Sequence, residues 1–170
     1  IGGSANGIYI GTVSHNNVFS SNTLKTTHAT LAYGVYLNSG KNNTFINDNI
    51  TSTGVNDIRI KIGSGTFTNV TFNVTDIGFD STATGNITVK WYLTTNVQNT
   101  SGNNLQNANV SVYNNSGTIQ ASDLTDSNGI TIHILTDFIQ DNNSKTYYTP
   151  HIVNVTLANY QTNSTTINIS

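Results

Sequence analysis

Apolar residues in the first 75 positions fall in very short alternating runs, broken by Gly, Asn and Ser. Such runs carry no 3.6-residue period and are too short for helices, so they predict short strands. The runs also recur. "GIYIGTVSHNNVFSSNTL" (7–24) aligns with "GVYLNSGKNNTFINDNI" (34–50), the second being one residue shorter. Gly7 matches Gly34, Ile8 matches Val35, Tyr9 matches Tyr36 and Ile10 matches Leu37. Further along, Asn16 and Asn17 match Asn42 and Asn43, Phe19 matches Phe45, and Leu24 matches Ile50. A third, more worn copy is "DIRIKIGSGTFTNVTF" (57–72), where Ile58, Ile60, Phe67 and Phe72 take the apolar places. Copies spaced by about 22–27 residues signal a solenoid.

A unit of this size cannot bury its apolar residues alone. Stacked coils place Ile8 over Val35 over Ile58, and Phe19 over Phe45 over Phe67, as internal ladders. The paired Asn residues are expected at corners, where their amides stack and their backbone tolerates the left-handed conformation. Tyr9 and Tyr36 alternate with the aliphatic residues on either side of them. If the aliphatic ladder faces inward, the two tyrosines form an external stripe suited to stacking against carbohydrate.

The pattern changes near residue 75. "NITVKWYLTTNVQN" (86–99) is the longest strand pattern, with Ile87, Val89, Trp91 and Leu93 on one face and Thr88, Lys90, Tyr92 and Thr94 on the other. The aliphatic neighbours of Trp91 make it a capping or rooting residue. Beyond it, strands of five to eight residues alternate with Ser-Gly-Asn, Asn-Ser-Gly and Ser-Asn-Gly turns, the spacing of a β-sandwich. The expected organisation is parallel β-helix coils over 1–75, a bridging segment over 76–91, and an antiparallel sandwich over 92–170.

Composition supports an all-β chain. Asn (28), Thr (28) and Ser (16) dominate the 170 residues, so β-branched and turn residues displace helix formers. Only 8 % of residues are charged and the net charge is −2, which leaves no basic footprint for nucleic acid or an anionic membrane. Without Cys there is neither a disulfide framework nor a thiolate metal site. No apolar run is long enough to span a membrane as a helix. The chain opens on Ile1 without an initiator Met, and we expect a piece of a longer, processed polypeptide whose export signal and anchor lie elsewhere.

Twelve Asn-x-Ser/Thr sequons are present, beginning at Asn42, Asn49, Asn69, Asn73, Asn86, Asn99, Asn109, Asn114, Asn142, Asn154, Asn163 and Asn168. Composition alone predicts about seven, so the excess suggests a glycosylated exterior that supplies solvation in place of charge. Asn42, Asn99, Asn114 and Asn142 sit in turn-like stretches and are the preferred acceptors.

The repeated forms "GIYI…NNVFSSNTL" and "GVYL…NNTFINDNI" resemble the right-handed parallel β-helix repeats of large archaeal surface proteins. "NLQNANVSVYNNSG…TDSNGITIHIL" resembles small Ig-like or transthyretin-like modules of surface proteins, of the carboxypeptidase-regulatory and collagen-adhesin B types. Together these resemblances imply an all-β fold, the end of a right-handed parallel β-helix followed by an antiparallel Ig-like β-sandwich. They also imply an extracellular structural glycoprotein, a building block of a surface layer, sheath or filament. Its partners would be copies of itself and its own N-linked glycans. The alternatives are a carbohydrate-binding adhesin module using Tyr9 and Tyr36, and a fragment of a β-helix polysaccharide lyase or hydrolase.

The lyase alternative needs clustered acids, and the best set available is Asp48 and Asp57 with Arg59 and Lys61. No acid ladder runs through the coils, because Asp48 aligns with Asn22 and Val70, so we expect no enzyme. In the second half, Asp123, Asp126 and Asn128 are hard oxygen donors for Ca²⁺, but they lack the spacing of a dedicated loop, and the Thr-Asp-x-x-Gly stretch reads first as a tight turn. No other cofactor is expected. A Lys–Asn crosslink of the adhesin kind would have to use Lys90 or Lys145 with an Asp, because the chain has no Glu. His15, His28, His133 and His151 are scattered without zinc spacing, and alternation with Ile132 and Ile134 predicts a surface position for His133.

Overall fold

A computed structural model describes residues 5–27 and 32–169, and every element among them is a β-strand. His28 lies outside the described residues. By internal contacts the chain divides into two units, residues 1–89 with 139–146, and residues 90–138 with 147–170.

The first unit is a parallel β-solenoid of about four coils. The first coil contributes β1 (Ala5–Ile10), β2 (Val18–Ser20) and β3 (Thr23–Thr26). The second contributes β4 (Ala32–Leu37), β5 (Asn43–Ile46) and β6 (Asn49–Ser52). The third gives β7 (Asn56–Ile60) and β8 (Ser64–Thr68), and β9 (Ile77–Phe79) begins the fourth. Parallel pairing stacks β1-β4-β7-β9, β2-β5-β8 and β3-β6 as three walls. Asn86–Val89, the start of β10 (Asn86–Asn96), follows β8 in the second wall.

The ladders fall where like residues recur. Ile8, Val35, Ile58 and Ile77 are in register, and so are Phe19, Phe45 and Phe67. The Phe rings stack face to face, with centroids 4.8 Å apart and then 4.4 Å apart. Phe45 and Phe67 are fully buried, as are Val35, Leu37, Ile50, Ile58 and Ile60.

Corners are built by polar residues. Asn16 and Asn42 both hold the left-handed conformation, at φ 58° and 57°, so the first corner repeats coil on coil. Ser21, Asn47 and Asn69 do the same at a second corner, with φ of 59°, 55° and 52°. Next to each corner a buried side chain ties one coil to the next. Asn43 Oδ1 accepts the backbone N–H of Asn17 at 3.0 Å and its Nδ2 at 2.9 Å. Asp48 Oδ1 likewise accepts from the backbone and side chain of Asn22 at 2.7 and 2.9 Å. Gly40, Gly63 and Gly85 line another bend, where a Cβ on Gly63 or Gly85 would collide with the carbonyl of the glycine one coil back.

The second unit contains Lys90–Asn96 of β10, β11 (Asn109–Tyr113), β12 (Ile119–Leu124) and most of β13 (Ile130–Asp141). Between β13 and the next long strand lies the short β14 (Lys145–Tyr147); β15 (His151–Thr156) and β16 (Asn163–Ile167) complete the unit. β12-β11-β15-β16 form one antiparallel sheet, and β10 neighbours β13 in another. Val110, Val112, Leu135, Val153 and Ile169 form the core, with Trp91 and Leu93 packed against it. The indole Nε1 donates to Asp137 Oδ2 at 3.4 Å. The unit boundary therefore falls at 89/90, inside the segment expected to bridge, and Trp91 belongs to the second core.

One expectation about β13 is reversed. His133 is buried, whereas Ile132 and Ile134 are exposed. Leu135 must face the core, and strand alternation then carries His133 and Thr131 inward with it. His133 Nε2 lies 3.3 Å from the Asp123 carboxylate and 3.4 Å from Thr131 Oγ1.

Candidate functional site

Inward placement of Ile10, Val35 and Leu37 sends Tyr9 and Tyr36 to the outer face of the wall β1-β4-β7-β9. The same rung continues through Arg59 and Gly78. Tyr9 is 55 % exposed, and its ring meets that of Tyr36 edge-on at 5.6 Å. Tyr33, on the same strand as Tyr36, lies 5.3 Å from it, and the Arg59 guanidinium stands 5.9 Å over the Tyr33 ring.

Polar groups connect these rings in one network. Asn38 Nδ2 donates to the Tyr9 hydroxyl at 2.7 Å, and the Tyr36 hydroxyl donates to Asp80 Oδ2 at 2.9 Å. Arg59 Nε donates to Asp80 Oδ1 at 2.7 Å, and its other arm reaches Asn56 Oδ1 at 3.3 Å. Asn56 Nδ2 in turn donates to Asp76 Oδ1 at 3.1 Å. Gly78 leaves the room this pairing occupies, since a Cβ at that position would meet Asn56 Oδ1 and the Arg59 guanidinium and make those side chains shift.

The electrostatics of the face follow from this pairing. Arg59 is neutralised by Asp80, with about a quarter of each side chain exposed. Burial pushes the Tyr36 phenol up to about 12, reinforced by its hydrogen bond to Asp80 and by that carboxylate's charge. At neutral pH Tyr36 is therefore a hydrogen-bond donor, not a base. The face offers one open aromatic ring, two more half-covered, and planar amide, guanidinium and carboxylate groups beside them.

The lyase set is not brought together. Asp48 is buried at its corner, and Asp57 is buried while accepting the N–H groups of Ser52 at 2.6 Å and Asn73 at 2.8 Å. Both carboxylates hold backbone. Arg59 turns to Asp80 instead, and the backbone of Lys61 bonds Leu37, Thr84 and Gly85. Asp80 and Gly78 were not anticipated. The signal was present, since "DIGFD" (76–80) repeats "DIRIK" (57–61) at the start of a fourth coil.

The acceptor asparagines separate by environment. Asn42 and Asn142 are exposed. Asn99 is half-buried, and its Oδ1 accepts the N–H groups of Ser101 and Asn103, each at 3.0 Å. Asn114 is only 5 % exposed and its Oδ1 is engaged by Ser116 and Thr118, so it is withdrawn from the accessible acceptors. Asn42 is the outward corner residue, while its neighbour Asn43 performs the stacking.

Among the Ca²⁺ candidates, Asp126 Oδ1 accepts the N–H groups of Asn128 at 2.8 Å and Ile130 at 2.9 Å, closing the tight turn. Asp123 faces His133. Among the described residues no group of three His, Asp or Glu side chains is placed to hold a metal ion. Compared with family models, curated proteins and solved structures, the chain gives no match.

Proposed function

We propose that this chain is a glycan-binding module of an extracellular surface protein, with the outer face of β1-β4-β7-β9 as its contact surface. The observation that carries this reading is the outward stripe of Tyr9, Tyr36 and Tyr33 joined to Asn38, Asn56, Arg59 and Asp80. Sugar rings present apolar C–H faces to aromatic rings and hydroxyl pairs to planar amide, carboxylate and guanidinium groups. Because Arg59 is already paired with Asp80, the preferred ligand is a neutral saccharide, not a uronate. Retention on immobilised neutral polysaccharides tests this. Wild-type protein should be retarded and Tyr9→Ala should lose the retardation while keeping its fold; equal mobility of the two would end the proposal.

A second reading, as a building block of a surface layer, sheath or filament resembling archaeal assemblies, is favoured by a different observation. Among the described residues β1, β2 and β3 are edge strands of their walls, and β12 and β16 are the edge strands of the second unit's antiparallel sheet. On this reading the second unit acts as an Ig-like spacer, the partners are further copies, and Asn42 and Asn142 carry N-linked glycans. A single monodisperse monomer at all salt and calcium concentrations would count against assembly.

A further inference from the structure

The core of the second unit changes character along β15 and β16. Val153 pairs with Thr165 and Val155 with Asn163, so all four side chains share the face that Val153 turns to the core. On that face the C-terminal stretch reads Ile169, Ile167, Thr165, Asn163, apolar at one end and polar at the other. Burial fades in the same direction: Val153 is buried, Val155 and Leu157 are half-buried, and Thr165 and Asn163 are exposed. Where it fades, a cleft of about 690 Å³ opens, walled by residues 95–100 with Leu105 on one side and by residues from 153 to 165 on the other. That volume is in the range that holds a small organic molecule.

Hydrogen bonds hold both walls in place. The Val97 N–H donates to the Gly129 carbonyl at 2.8 Å, and the Leu105 N–H donates to the Val97 carbonyl at 2.9 Å. Gln98 Nε2 donates to Asn104 Oδ1 at 2.9 Å. Opposite, the Tyr160 N–H donates to the Leu157 carbonyl at 3.1 Å, with Asn159 left-handed at φ 68°. The cleft is thus formed before any ligand enters it.

Its lining selects by polarity. Val97, Leu105, Val153, Val155 and Leu157 give a half-buried to buried aliphatic floor, while exposed amides and hydroxyls such as Gln98, Gln161 and Thr165 form the rim. None of the lining side chains is charged, so an ionic ligand would lose water and meet no counter-charge. The single ring in the lining, Tyr160, is exposed, so a bare sugar finds no aromatic floor to stack on.

We infer that this cleft is a binding site for a small uncharged amphiphile, its alkyl body on the aliphatic floor and its hydroxylated or amide head at the rim. The site lies wholly in the second unit and does not rest on the glycan-binding reading.

The test titrates the full chain with monomeric n-octyl glucoside and follows methyl and tyrosine-ring NMR signals. Val155, Leu157 and Tyr160 should shift together and saturably. Glucose alone should leave them unmoved, and octanoate, with a similar body and an anionic head, should bind at least about tenfold more weakly. Thr165→Trp, which places a large side chain at the exposed mouth, should abolish the shifts while the remaining amide spectrum stays folded; Gln161→Trp, also at the rim, gives the same readout by a second route. Unmoved signals with octyl glucoside would overturn the inference, as would equal binding of octanoate or full binding by both Trp variants. Glucose shifting the same signals as strongly would overturn it too, because the cleft would then be a saccharide site. Signals of Tyr9, Tyr33 and Tyr36 report separately on the solenoid face, so failure of one reading is distinguishable from failure of the other.

Discussion

Asp48 has one buried oxygen that takes two hydrogen bonds and another that takes none. Asn43 performs the same task with an amide, so it is the acceptor oxygen at the corner that matters, more than the charge. Asp48→Asn should stay within about 1 kcal/mol of wild type, whereas Asp48→Ala, which strands the Asn22 N–H, should cost about 2 kcal/mol in urea unfolding. Tyr36 makes a separate prediction. Its folded pKa is raised above the usual phenol value of 10.0 to about 12 by burial, then by Asp80. The folded state therefore holds a proton that the unfolded state releases, and this contribution to stability is full below pH 10 and lost as pH rises toward 12. Absorbance at alkaline pH should show a late-titrating tyrosine that Tyr36→Phe removes.

At the scale of elements, the Phe ladder holds the wall β2-β5-β8 together. Phe45 is covered on both faces and Phe19 on one, so Phe45→Ala should cost about 3–5 kcal/mol and Phe19→Ala roughly half as much in denaturant unfolding. This ladder was legible because like residues recur in it: Phe above Phe, and Asn16 above Asn42 at the corner. The second corner was hidden, since Ser21, Asn47 and Asn69 share a backbone conformation without sharing one side chain. The fourth coil was hidden by its length, because β9 has only three residues and Gly78 stands where an earlier coil has Arg59. With that coil unread, Asp80 could not be recognised as the partner of Arg59 and Tyr36, and only the tyrosine half of the face was visible. Strand β13 misled for another reason. Its isoleucines face outward because Leu135 joins the interior, and alternation then turns Thr131 and His133 inward with it.

At the scale of the whole molecule, the two units rest on different physics. The first is repetitive, with hydrogen-bonded corners and stacked rungs; the second closes a small mixed core around Trp91, Leu135 and Val153. His151 lies fully buried in that second unit, with neither ring nitrogen in a well-formed hydrogen bond. Burial lowers its pKa below 6.5, against a weaker pull upward from Asp137 and the Thr136 backbone. The folded state thus resists a proton that the unfolded state accepts, so this stability is present above pH 6.5 and lost as pH falls through the lowered value. Acid should weaken the second unit first, and His151→Phe should flatten that dependence in pH-resolved denaturation. The claim that the molecule binds sugar stands most directly on the rings themselves. Tyrosine-ring NMR signals followed during titration with neutral oligosaccharides should shift at Tyr9, Tyr33 and Tyr36 together, saturably, and no longer in Tyr9→Ala. Spectra unmoved by every oligosaccharide, or shifts confined to Tyr160 in the second unit, would contradict the account.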